Sequence, residues 1–242
     1  MAKPAASSDK PAGRADGLHP NVLQPAYRSR RAIIVFIAVA LAGAAADLIS
    51  KHYIFESFLS QPQLVVQVED VRQRLQDRHP DRKIDSETLI SGGYMGEALQ
   101  QPVMPYVRLT LRTNPGIVFG SEMLPRPLVN VATVLTILLV GFFFATSPRT
   151  AWTMHVGLAF IVGGAVGNLY DRLFAQVALP GLDPIVGQVR DFIDFSQMGY
   201  PWVFNIADVL LVVGVGMIML EWILESRKRP RPAQQPPAAD KQ

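Results

Sequence analysis

Two aspartates late in a 242-residue chain, Asp191 in VRDFIDF and Asp208 in PWVFNIAD, stand at the mouth of the last of four apolar stretches. A carboxylate in a membrane span costs about 2.5 to 3.5 kcal/mol on insertion scales, so two that converge there require a functional reason. Two carboxylates sharing a site are equipped for general acid and base chemistry on water. Repulsion between like charges raises one apparent pKa, so the pair keeps a single proton near neutrality. One member takes a proton from water while the protonated one donates to a carbonyl oxygen or leaving nitrogen. That chemistry asks for no metal and no cofactor. The four histidines, His19, His52, His79 and His155, are scattered and offer no ligand set, and no serine triad stands out.

Further polar groups recur at the ends of the apolar stretches. Asp47 and Lys51 close the first one at i,i+4, the spacing at which a carboxylate and an ammonium neutralise each other near an interface. On that spacing alone a snorkelling pair that only sets topology fits equally well. Asn168, Asp171 and Arg172 close the third, and their three- and four-residue offsets bring the two charges to the Asn168 face. Asn205 and Asp208 open the fourth at i,i+3, so two spans present an amide plus a carboxylate at one level. Between the first and second stretches lies Asn114-Pro115-Gly116-Ile117-Val118-Phe119-Gly120. Its Asn, Pro and Gly suit a tight loop that brings backbone close to a partner, with Phe119 placed to dip into lipid or pack on helices. A plain turn accounts for that loop taken by itself. Asp194, three residues after Asp191, competes with it for the catalytic place.

The elements that must position these groups are legible from composition. The chain is 49% hydrophobic and only 18% charged, which suits an integral membrane protein better than a soluble domain. Four runs near the ~20 residues needed to cross a bilayer span 32–49, 127–145, 152–170 and 204–223. Ala44, Ala45 and Ala46 resemble a leader-cleavage site, but the run starts far from Met1 and polar residues follow it, so an uncleaved anchor is expected. The net charge of +3 comes largely from clusters before the first span (Arg28, Arg30, Arg31) and after the last (Arg227, Lys228, Arg229, Arg231). Beside apolar spans such clusters are topogenic and place both termini in the cytoplasm, with Arg149 between spans two and three in agreement. No aromatic-interleaved basic face points to nucleic acid. The absence of cysteine excludes disulfides, thiolate nucleophiles and zinc–cysteine sites.

The expected architecture is therefore an all-α membrane protein, a four-transmembrane-helix bundle with a small β-containing periplasmic platform. Disordered tails are expected at 1–26 and 226–242 around a membrane domain at 27–225. The platform comes from the external loop 52–126. Within it Val68, Val71 and Leu75 mark a helix over 65–77, while 105–112 alternates Val107, Leu109 and Leu111 with Arg108, Thr110 and Arg112 like a half-buried strand. His79-Pro80 and Gly92-Gly93 break the rest into short pieces.

GGAVGNLYDR (Gly163 to Arg172), VRDFIDF and FNIAD (Phe204 to Asp208) resemble signature blocks of bacterial lipoprotein signal peptidase, or signal peptidase II. Asp47 with Lys51, and NPGIVFG, match that family's two earlier blocks in order. The resemblance covers all four spans. It implies an aspartic endopeptidase of the bacterial inner membrane that works as a monomer among phospholipids. Its substrate would be a prolipoprotein carrying diacylglycerol on its lipobox cysteine, cleaved just before that cysteine. By resemblance Asp191 and Asp208 form the catalytic pair, and Asp47, Lys51, Asn114, Gly116, Phe119, Asn168, Asp171, Arg172 and Asn205 support the site. The scissile bond of a lipid-held cysteine would arrive laterally, to meet the aspartates of spans three and four. Asp194 is then a loop or cap residue.

Three features depart from the family pattern. The link 173–188 is long, residues 61–100 look like an insertion in the first external loop, and Arg190 replaces an apolar residue. Beside the pair, Arg190 would either lower its apparent pKa or point to headgroups. The insertion would cover the site, recognise the mature part of the substrate, or bind an envelope protein. Two other classes fit parts of the pattern: a small transporter or proton relay built on intramembrane carboxylates, and an anchor whose working part is the insertion. Four spans without an inverted repeat, with polar groups gathered at one face, weigh against transport.

Overall fold

A computed structural model describes residues 24–116 and 125–228. Phe119 and most of both expected tails, 1–23 and 229–242, lie outside the described residues. Among the described residues, four helices are long and apolar enough to cross a membrane. The first, α1 (Arg30–Leu59), starts on Ser29, whose hydroxyl accepts the Ala32 N–H. Its 30 residues make a rod about 45 Å long, more than the ~30 Å of a hydrocarbon core, and it runs unbroken past the alanines at 44–46. Two shorter helices follow, α2 (Pro62–Arg78) and α3 (Ser86–Ser91). The remaining spans are α4 (Arg126–Thr146), α5 (Trp152–Phe174) and α6 (Ile206–Lys228).

Helix α5 packs against α1, α4 and α6. Small residues permit this approach: a Cβ at Gly163 would lie 2.8 Å from the Ala40 carbonyl of α1, and one at Gly164 would lie 2.5 Å from the Ala207 carbonyl of α6. At the end away from the sheet, Phe36 stacks on Phe144 at 4.0 Å. Gln24, Pro25 and Ala26, the close of the N-terminal segment, are held there, with Ala26 buried and its N–H donating to the Ser147 carbonyl.

The other end carries a four-stranded antiparallel sheet in the order β1-β2-β5-β6, formed by β1 (Gln100–Met104), β2 (Val107–Asn114), β5 (Val189–Asp194) and β6 (Val203–Phe204). The strand expected over 105–112 is thus the second arm of a hairpin. Pro105 and Tyr106 make its turn, with Tyr106 at φ 68°. The expected alternation breaks at a bulge between Leu109 and Arg112, which buries both Thr110 and Leu111. A two-stranded ribbon, β3 (Gln176–Val177) with β4 (Ile185–Val186), occupies the link 173–188.

The expected insertion and the long link pack on one another. Leu64, Val68 and Leu75 of α2, Leu89 and Ile90 of α3, Leu111 and Phe192 of the sheet, and Val177, Leu179 and Ile185 of the link share one core with Phe55 and Phe58 of α1. The link's Leu179 N–H donates to Ser86 Oγ at 3.1 Å, and Lys83 meets Asp183 at 2.6 Å.

A valine at Gly164 is expected to separate α5 from α6, at a cost of about 1–3 kcal/mol for overpacking. It should lower the unfolding midpoint of the purified protein in detergent, whereas valine at Gly216, where a Cβ meets nothing within 4 Å, should leave it unchanged.

Candidate active site

The site grows from the start of α6. Asn205 precedes the helix, and its Oδ1 accepts the Asp208 N–H at 3.1 Å while Asp208 Oδ2 accepts the Asn205 N–H at 3.1 Å, a reciprocal capping box. The next free N–H of that turn, on Ala207, donates to Asp47 Oδ1 of α1 at 2.8 Å. A helix start leaves such donors unpaired, so a carboxylate from a neighbouring helix supplies the acceptor.

Asp47 also receives Lys51 Nζ, at 2.7 Å, across one turn of α1. The same ammonium reaches Asn168 Oδ1 at 2.8 Å and Asp171 Oδ2 at 3.1 Å on α5. Asp47, Lys51 and Asp171 are fully buried, so the expected i,i+4 pair is the centre of a network and not a snorkelling pair. Asp171 in turn accepts from Arg190 of β5 three times: the backbone N–H at 3.0 Å, Nε at 3.1 Å and a terminal nitrogen at 2.7 Å. Arg190 therefore neither faces headgroups nor bears directly on the aspartate pair. Its guanidinium ties the sheet to α5 and lies 5.9 Å from the Phe55 ring centre.

Asp191 follows Arg190 on β5 and points the opposite way. It lies between the third and fourth spans, on a strand paired with β2 with Arg112 opposite. Asn205 Nδ2 donates to Asp191 Oδ1 at 2.6 Å and to Asn168 Oδ1 at 3.2 Å, and Asn168 Nδ2 donates to Asp208 Oδ1 at 3.4 Å. Two asparagines thus bridge the two aspartates. Asn114, at the end of β2, lines the cavity beside Asp191 and accepts the Gly116 N–H at 2.9 Å. Burial first, and then the Asp208 charge, push the Asp191 carboxyl up to about 7.

Asp191, Asp208, Asn114, Gly116, Asn168 and Arg172 line one cavity of ≈310 Å³. Arg172 carries a buried Nε with no hydrogen-bond partner among the described residues. A second cavity, ≈270 Å³, continues between α4, α5 and α6 and shares Asn168, Arg172 and Asp208. Asp194, the rival candidate, sits apart at the end of β5. Burial opposes its charge, but the Ser196 N–H at 2.7 Å and Arg108 at 2.9 Å outweigh that and hold its carboxyl below the usual range. It is paired with Arg108 and the Ser196 N–H and does not line the cavity that holds Asp191 and Asp208.

The family model described as Signal peptidase (SPase) II matches residues 37–224. The chain belongs to the signal peptidase II family. A lipoprotein signal peptidase of Desulfitobacterium hafniense (strain DSM 10664 / DCB-2) is 40% identical over 144 residues, covering 58% of this chain and 84% of that protein. One of Caulobacter vibrioides (strain ATCC 19089 / CIP 103742 / CB 15) is 36% identical over 134 residues, covering 53% and 71%. A bacterial membrane enzyme structure obtained by the in meso method at 1.9 Å resolution aligns over 79% of this chain and 94% of its own, with TM-score 0.51 and 22% identity, a likeness of fold alone. With family membership the chain is a multi-pass membrane peptidase, and the transporter and anchor readings fall away.

Of the expected site residues, all those within the described part converge on this network or its cavity; Phe119 lies outside it. Sequence reasoning missed the Ala207 N–H, a backbone group that no residue type announces. It also missed the cavity's apolar wall from α4, Leu128, Val129 and Ala132, which has no mark within a uniformly apolar run.

Replacing Lys51 with methionine should strand Asp47 as a buried carboxylate without a counter-ion and leave Asp171 to Arg190 alone, at a cost of about 3–5 kcal/mol. Chemical unfolding in detergent should show that loss, and adding Asp47→Asn, which keeps an acceptor for Ala207, should recover part of it.

Proposed function

We propose that Asp191 and Asp208 are the catalytic pair of an intramembrane aspartic endopeptidase that removes the signal peptide from diacylglyceryl-modified prolipoproteins, cutting before the lipidated cysteine. The observation that carries the reading is the pair's setting: two carboxylates in one cavity, bridged by Asn205 and Asn168, with Asp191 kept protonated up to about pH 7. One proton shared by two carboxylates is the state that hydrolysis needs. With the proton on Asp191, Asp208 remains to take a proton from water as its oxygen attacks the scissile carbonyl carbon. The C–N bond breaks, the carboxyl pair delivers a proton to the cysteine nitrogen, and the products are a carboxylate-ended signal peptide and a free α-amine.

The layout supports a lateral approach from the bilayer. The cavity adjoins apolar faces of α4 and α6, where a membrane-held lipid and signal sequence arrive, while the pair stands at the sheet end. The enzyme is multi-pass in the bacterial inner membrane, with both termini cytoplasmic and the sheet on the periplasmic face, the orientation that Arg28, Arg30 and Arg31 favour ahead of α1. It works as a monomeric four-helix bundle among phospholipids. The membrane domain takes in Gln24 to Ala26, held against the turn between α4 and α5, and runs through α6.

Paired substrates test this, a diacylglyceryl-modified prolipoprotein and its unlipidated form in detergent or lipid. The lipidated form alone should be cut, Asp191→Asn and Asp208→Asn should each lose about a thousandfold or more in rate, and Asp194→Asn should retain cleavage. Full activity in either dyad variant would sink the assignment.

A pH profile gives a second check. The needed proton leaves Asp191 as pH rises through about 7, so kcat should fall above that value. A carboxyl raised from its ordinary 3.8 stabilises the fold least where it is ionised, so the dyad's contribution is lost as pH rises from about 3.8 to about 7. Asp191→Asn should therefore raise the unfolding midpoint most at pH 8, less at pH 5, and leave it near wild type below about pH 3.8.

A further inference from the structure

On the reading that Asp191 and Asp208 cut before the lipidated cysteine, we infer that α3 builds the subsite for the first residues of the mature chain beyond that cysteine, and that Glu87 gives this subsite its charge preference. A cleft of ≈420 Å³ runs from Asp191 and Asn114 to Glu87 and Ser91 of α3, with Arg112 and Trp202 in its walls. It shares Asp191 and Asn114 with the cavity that holds the pair. The two cavities and the cleft thus form a series: one between the helices, the one at the scissile bond, and one over the sheet whose lining adds Glu87, Ser91, Arg112 and Thr113. Signal peptide and lipid lie on the membrane side of the bond, so the mature chain leaves through the sheet end.

The α3 wall is fixed in place. Asp85 caps it by accepting the Thr88 N–H at 2.9 Å, and Arg112 donates to the carbonyls of Ile90 at 3.3 Å and Ser91 at 3.0 Å at its other end. Glu87 is exposed to the cleft, yet its Oε1 is held by the buried Gln188 Nε2 at 2.8 Å. Arg112, the cation of this cleft, is turned to the α3 carbonyls, while Glu87 presents a positioned carboxylate. An acidic residue entering here is repelled and a basic one is paired. Both supports of Glu87 come from segments outside the family pattern: α3 lies in the insertion 61–100, and Gln188 closes the long link.

Lipidated peptides identical except for Lys, Gln or Glu at the second and third mature positions test the inference with the full-length enzyme. The wild type should favour Lys over Glu in kcat/KM by about threefold to fivefold, the worth of one exposed charge pair. Glu87→Gln should bring that ratio close to one and Glu87→Lys should invert it, each variant being referred to its own rate on the Gln peptide. A wild-type ratio of one, or an unchanged ratio in Glu87→Gln, overturns the inference. A photoreactive residue at the second mature position, offered to Asp208→Asn enzyme, separates this from the catalytic assignment. Crosslinks on α3 without cleavage by the wild type would leave the subsite standing and the dyad refuted. Efficient cleavage with no label on α3 would do the reverse.

Discussion

The rest of this molecule depends on one buried ammonium. Lys51 Nζ lies within 2.7–3.1 Å of Asp47, Asn168 and Asp171, with no solvent to share the load. Two carboxylates and one cation buried together leave a surplus negative charge, which Arg190 of β5 cancels through Asp171. Asp47 spends its second oxygen on the first turn of α6. A single point thus joins α1, α5, α6 and the sheet, and each joined element carries a residue of the active site or its support. Removing any member strands another charge, which is why such a network specifies one arrangement even where it adds little stability.

The same economy shapes the aspartate pair. Asp208 is at once a proposed catalytic group and half of the capping box that starts its own helix. Asn205 is both the cap and the bridge to Asp191. Because its main-chain N–H and side-chain oxygen are both committed to Asp208, its amide nitrogen is held toward Asp191 and the two carboxylates keep their spacing. Asn168 repeats the pattern from α5, receiving Lys51 and Asn205 on one atom while donating to Asp208 from the other. Positioning of this kind uses residues whose rotamers are locked by other duties.

Much of this was legible in the residues. The four spans follow from apolar run length, and the clustering of Asp47, Lys51, Asn168, Asp171 and Asn205 follows from the cost of polar groups in lipid, which forces them to meet. Three things were not legible. The extension of α1 to Leu59 follows from its end packing Phe55 and Phe58 into a core that only the insertion and link complete. The strand under Asp191 is short and reads as an appendage of the helix after it, since its partner β2 lies about eighty residues earlier in sequence and local pattern carries no pairing information. Arg190 was visible as a departure, but its partner Asp171 is fixed by how the strand meets α5, so its role followed only from the fold.

Placing one aspartate on a strand and the other on a helix has a consequence for how the site is kept true. Successive strand residues face opposite sides, so Arg190 and Asp191 are divided between the helix network and the cavity. A one-residue slip of β5 against β2 would bring Val189 or Asp191 toward Asp171 and put Arg190 or Phe192 in the place of Asp191 at the cavity. Only one register satisfies both the buried Asp171 and the Asn205 bridge. The arginine next to the proposed catalytic residue thus acts as a register pin: its charge is drawn to Asp171, and that attraction fixes which neighbour reaches the dyad. The bulge between Leu109 and Arg112 serves the same end from the partner strand, shifting β2 so that Arg112 falls opposite Asp191 and Asn114 beside it. The position of Asp191 is therefore secured by strand pairing, and that of Asp208 by helix capping, with Lys51 holding the two systems in contact.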